Sequence, residues 1–121
     1  MPRITHFEIP ADDPDRAAEF YTRTFGWKIS KWEGPQPYWL VETGKDPEPG
    51  INGGITLRKS LAHTANTVAV PSCDKAMKAV AANGGKVLTP KMTVPGQGYM
   101  AYCLDSEGNQ FGIMEMDPKA K

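Results

Sequence analysis

The chain has 121 residues, with 14 Lys and Arg against 14 Asp and Glu, 12 Gly, 11 Pro and two Cys. That length supports one domain, residues 1–121, with a single sizeable core, and the balanced charge excludes an electrostatic footprint for nucleic acid or an anionic membrane surface. No stretch approaches the ~20 apolar residues of a membrane span.

Cys73 and Cys103 lack CxxC spacing and read as buried free thiols, which suits a reducing compartment. A soluble cytoplasmic protein is therefore expected. The run HFEIP opens the pattern, with His6, Glu8 and Pro10 on one face and Phe7 and Ile9 on the other, as in a half-buried strand. Asp12 or Asp13 can cap a helix that Pro14 suits at its first turn. Ala17, Phe20, Tyr21 and Phe25 form an apolar stripe that predicts core, and Gly26 supplies a left-handed stop before the strand WKIS.

Turn-rich WEGPQP then leads into the strand YWLVE, 38–42. A polar loop broken by Pro and Gly follows, and GGITLRK, 53–59, reads as a strand whose glycines mark a bulge or a close backbone approach. The opening pattern then returns. NTVAVP is a strand, Ser72 a helix cap, and CDKAMKAVAANGG a helix with its stop. Met77, Val80 and Ala81 repeat the Ala17, Phe20 and Tyr21 spacing sixty residues on. KVL is a short strand, TPKMTVPGQG a loop, YMAYCLD a strand, SEGN a turn and QFGIMEM the last strand. The chain is thus two βαβββ copies in tandem, over about 4–59 and 64–117, and such copies pack because neither buries its sheet face alone.

These residues carry a resemblance. His6 with Phe20-Tyr21, the FGWKI that follows, NGGKV in the second half and the closing DSEGNQFGIME resemble the vicinal oxygen chelate superfamily. That is the glyoxalase I, bleomycin-resistance and extradiol dioxygenase group. The resemblance implies an α+β fold in which two tandem βαβββ modules form a cup-shaped, curled mixed sheet with the helices outside. It also implies a homodimer and, in the enzymes, a divalent metal held by four His, Glu or Gln side chains. Carried over, the first ligand position is His6, the second Thr56, the third Ala65 and the fourth Gly112.

Ala and Gly offer no donor side chain and a Thr hydroxyl is a poor ligand, whereas tight sites need about three or more protein ligands. No metal and no other cofactor is therefore expected. Glu8 and His63 are displaced by ~6–7 Å along their strands from where they would have to act. His6 reads either as a polar or packing residue of a wet face or as a ligand contact. Glu8 reads either as solvated or as an inward carboxylate able to act as a base. Met100, Tyr102 and Met114 match pocket-lining positions of the resembled glyoxalases, or are ordinary core; Trp39 can join them, and Thr56 completes the set.

The leading expectation is a metal-independent binder of an aromatic or heterocyclic small molecule, since a roomy, mostly apolar concavity suits such ligands. The alternative is a lyase or isomerase acting on a small carbonyl compound, with His6 or Glu8 as proton carrier. A third class is an interaction module whose cup is plugged by its own side chains.

Overall fold

The computed structural model describes residues 1–121. Asp13 accepts from the Arg16 backbone N–H at 3.1 Å, Pro14 fills the first turn, and Gly26 ends the helix at φ 75°. Those three signals delimit α1 (Pro14–Phe25) between β1 (Arg3–Ala11) and β2 (Lys28–Lys31). Strands β3 (Tyr38–Glu42) and β4 (Asn52–Leu57) complete the first module. In the second, β5 (Ala65–Ala69) leads to α2 (Cys73–Ala82), which Ser72 caps through the Lys75 N–H at 3.2 Å. Strands β6 (Lys86–Val87), β7 (Met92–Val94), β8 (Gly98–Leu104) and β9 (Gln110–Met116) follow. The chain is α+β, built from two modules of βαβββ type, the second carrying the extra short strand β7 paired only with β8. They correspond to two compact units, His6–Ala65 and Asn66–Lys121 with Met1–Thr5.

In the first unit the strand order is β2-β3-β4-β1, antiparallel except for the parallel β4–β1 pair. Its core lies on the α1 side, where Ala11, Trp39, Val41 and Ile55 pack with Phe7, Ile9, Tyr21 and Trp27. The order β5-β9-β8-β6 repeats this arrangement in the second unit, with β5–β9 as its parallel pair. There Val70, Cys73, Ala101, Cys103 and Ile113 form the core with Met77, Val80 and Phe111 beneath α2. Both cysteines are buried and free, as their spacing indicated. No helix is long and apolar enough to cross a membrane.

Three expectations need correction. Phe20 and Phe25 are 57% and 62% exposed rather than core. Pro14, Ala17, Ala18 and Tyr21 define the inward arc of α1, from which Phe20 is rotated away at ~100° per residue. Phe25 occupies the last turn, where only Trp27 and Tyr21 lie against its ring. The 89–98 segment is not all loop, because Met92–Val94 pairs with Met100–Gly98 as a hairpin. A three-residue strand set between Pro90 and Pro95 is too short for the period-2 pattern to show.

The paired glycines of β4 mark close approach, not a bulge, since the β1–β4 register runs unbroken from His6↔Asn52 to Ala11↔Leu57. A Cβ on Gly53 would strike the Phe7 carbonyl and ring. Gly53→Ala should therefore destabilise the fold by about 1–3 kcal/mol, the usual cost of overpacking against backbone. Urea unfolding measures this, and an unchanged midpoint would show that the contact is relaxed at no cost.

Candidate functional site

Strand alternation sends one set of side chains toward α1 and the other to the opposite face. On that opposite face β1 presents His6, Glu8 and Pro10, and the parallel register sets Asn52, Gly54 and Thr56 of β4 beside them. Across β4, Tyr38 pairs with Thr56 and Leu40 with Gly54. The Tyr38 ring does not stay over Thr56. It crosses back over Gly54, whose missing Cβ leaves the space, and brings its hydroxyl to 2.7 Å from His6 Nε2. The two rings are nearly parallel, 15° apart with centroids at 6.3 Å. Trp32, whose N–H donates to the Tyr38 carbonyl at 2.8 Å, meets the Tyr38 ring edge-on at 6.3 Å.

His6 is partly buried, and removal from water holds its imidazole below the ordinary 6.5, with the Glu8 carboxylate opposing that shift. Glu8 itself is 5% exposed, so it is not the solvated residue that one reading of the strand gave. His6, Glu8, Thr56 and Tyr38 thus share one face of the first module. Trp39 does not join them. It lies on the α1 face, 8% exposed, with its indole N–H donating to Asp15 Oδ1 at 3.1 Å and Lys31 5.3 Å from its ring centroid. In an alternating YWLVE, Trp39 and Val41 take the core side, which leaves Tyr38 and Leu40 for the other. Read that way, parity and the adjacent glycines would have indicated Tyr38, which sequence reasoning missed along with Trp32.

In the second module Met100, Tyr102 and Met114 do share a face, the one turned away from α2. Met100 pairs with Met114, Tyr102 with Gly112, and Gly112 with Thr67. All three are partly buried. The face is apolar apart from the Tyr102 and Thr67 hydroxyls.

The donors do not fit a metal of the kind held by the resembled enzymes. The residue paired with His6 is Asn52, not Thr56, which lies four residues or ~13 Å further along β4. The Asn52 side-chain oxygen already accepts from the Thr43 N–H at 2.9 Å. His6 Nε2 faces the Tyr38 hydroxyl, Ala65 and Gly112 bring no donor, and His63 is exposed in a bend. No group of three or more His, Cys, Asp or Glu side chains is placed to hold an ion.

Comparison with known proteins agrees with this architecture. Residues 3–44 match the family described as bleomycin resistance protein-like N-terminal. A glyoxylase-like domain-containing protein of Didymella fabae is 32% identical over 119 residues, covering 92% of this chain and 91% of that protein. Methylmalonyl-CoA epimerase of Streptomyces coelicolor, in complex with 2-nitronate-propionyl-CoA, superposes with a TM-score of 0.71 at 14% identity, over 100% of this chain and 99% of the epimerase. The Mycobacterium tuberculosis epimerase gives 0.67 at 15% identity, over 95% and 88%. The chain belongs to the glyoxalase and bleomycin-resistance group of the vicinal oxygen chelate superfamily.

The His6 shift carries a pH consequence. Burial favours the neutral imidazole, so the unfolded chain binds the proton more tightly than the folded one. Stability should be flat with respect to His6 above 6.5 and fall as pH drops from there through the depressed folded value. Urea unfolding of wild type and His6→Gln across that window should show the slope reduced in the variant. Parallel slopes would mean that His6 is not desolvated.

Proposed function

We propose that the protein binds a small aromatic or heterocyclic molecule without a metal ion. One observation carries the reading: the His6 nitrogen that would face a cation hydrogen-bonds instead to the hydroxyl of Tyr38 at 2.7 Å. Around that pair the first module offers stacking surface in Trp32 and Tyr38 and a buried carboxylate in Glu8. A few polar groups among apolar walls are the usual composition of small-molecule sites. The second module has its own face of Met100, Tyr102 and Met114, a polarizable surface suited to flat ligands. The match of residues 3–44 to a bleomycin-resistance family supports a binding role.

Metal analysis of untagged protein, paired with equilibrium binding of 4-nitrophenol before and after EDTA, tests the proposal. Sub-stoichiometric metal and an unchanged dissociation constant are the expected results. Binding that disappears with EDTA and returns with a divalent ion would overturn it. Met114→Ala reports separately on the second module, and a severalfold weakening is expected if that face takes part.

A second reading, proton transfer at a carbon beside a carbonyl, is favoured by the neutral His6 imidazole with Glu8 two residues away on the same face. Methylmalonyl-CoA, the substrate of the epimerases with this fold, is the natural probe. Deuterium uptake from D2O that is lost in His6→Ala would establish this reading; no uptake leaves the binder.

A further inference from the structure

We propose that Tyr38, not His6, is the residue of the first module that touches the ligand, accepting a hydrogen bond from a ligand N–H or acidic O–H while His6 holds the phenol in place. This rests on the reading of the face opposite α1 as a ligand site.

Relative acidity decides which partner donates. A phenol, with a pKa near 10, is a stronger acid than a neutral imidazole N–H, and an imidazole nitrogen is a stronger acceptor than a phenol oxygen. The contact at 2.7 Å is therefore Tyr38 O–H donating to His6 Nε2, with the imidazole proton on Nδ1. His6 must be neutral to accept, and its burial favours that form. With its proton directed at His6, the Tyr38 oxygen turns acceptor character toward anything else that approaches. A phenol oxygen has two lone pairs, so it can take a ligand donor beside other contacts.

Geometry fixes the phenol there. Gly54 provides the gap the ring crosses, and a Cβ at that position would collide with the end of the Tyr38 side chain. Trp32 closes the other side of the ring edge-on. The titratable groups that act on His6 are Glu8 from its own strand and Tyr38 from β3. A phenol oxygen offered as acceptor selects ligands that bring a donor: phenols, imides and N–H heterocycles.

The chain holds two histidines, His6 and His63, so imidazole nitrogen NMR resolves His6 with one assignment variant. Wild type, Tyr38→Phe and Gly54→Ala are compared, each also titrated with 4-nitrophenol. Tyr38→Phe keeps the ring and removes only the hydroxyl; Gly54→Ala keeps the hydroxyl and displaces it. Neutral His6 should show an unprotonated, hydrogen-bonded Nε2 in the wild type. Removing or displacing the hydroxyl should move the Nε2 signal of neutral His6 toward that of an unbonded imidazole nitrogen in both variants. 4-Nitrophenol should shift the His6 signals in the wild type and bind about tenfold more weakly to Tyr38→Phe, the scale of one lost hydrogen bond. A proton on Nε2 in neutral His6, or an Nε2 signal that stays the same in Tyr38→Phe, overturns the assignment. Equal probe affinity in wild type and Tyr38→Phe sinks the Tyr38 contact but spares the binder reading. A wild type that binds no probe at millimolar concentration sinks both.

Discussion

Two adjacent glycines in a buried strand set the terms for the first module. Successive residues of a strand point to opposite faces, so Gly53 and Gly54 each remove a side chain from a different side of the same sheet. On one side the gap admits Phe7, which joins Trp27 and the aromatic packing under α1. On the other it admits the Tyr38 ring, which would otherwise stand over Thr56. Glycine weakens a strand through lost packing and greater chain entropy. Here that loss is offset by aromatic area that could not otherwise come so close. The helix-side core and the polar cluster opposite thus share one local cause.

From that constraint the chemistry of the polar face follows. A phenol laid across Gly54 reaches the imidazole of His6 and takes the nitrogen that faces it. Glu8, two residues along β1 and almost wholly buried, supplies the opposing electrostatic pull that tends to charge the imidazole. Burial wins over the carboxylate, and the pair is held as phenol and neutral imidazole. The balance depends on Tyr38, Gly54, His6 and Glu8 together, so single substitutions at these positions are not independent.

Much of this was legible in the sequence, for identifiable reasons. Caps and stops at Asp13, Gly26 and Ser72 are local chemistry, and they placed both helices to within a residue or two. Strands YWLVE and QFGIMEM were bounded by turns and carried enough residues to show their type. Periodicity misled at Phe20, because a stripe read from four apolar residues does not say where on the helix the sheet touches. Ala17 and Ala18, small and easily discounted, mark that arc instead. Trp39 misled because the parity of YWLVE stays open until its neighbours in the sheet are known. Tyr38 was missed because its contact with His6 depends on a register no single strand reveals.

The same register explains why copying ligand positions by motif went astray at Thr56. Sequence alignment places residues along a strand, but coordination needs them across strands, and Thr56 stands opposite Pro10 rather than His6. For His6 to hold a cation, Nε2 would have to give up its contact with the Tyr38 hydroxyl. The cation would still have to find at least two further donors, and the residues carried over to the remaining positions, Ala65 and Gly112, have none. The His6–Tyr38 contact and the lack of donor side chains at Ala65 and Gly112 thus act in the same direction, against a bound ion.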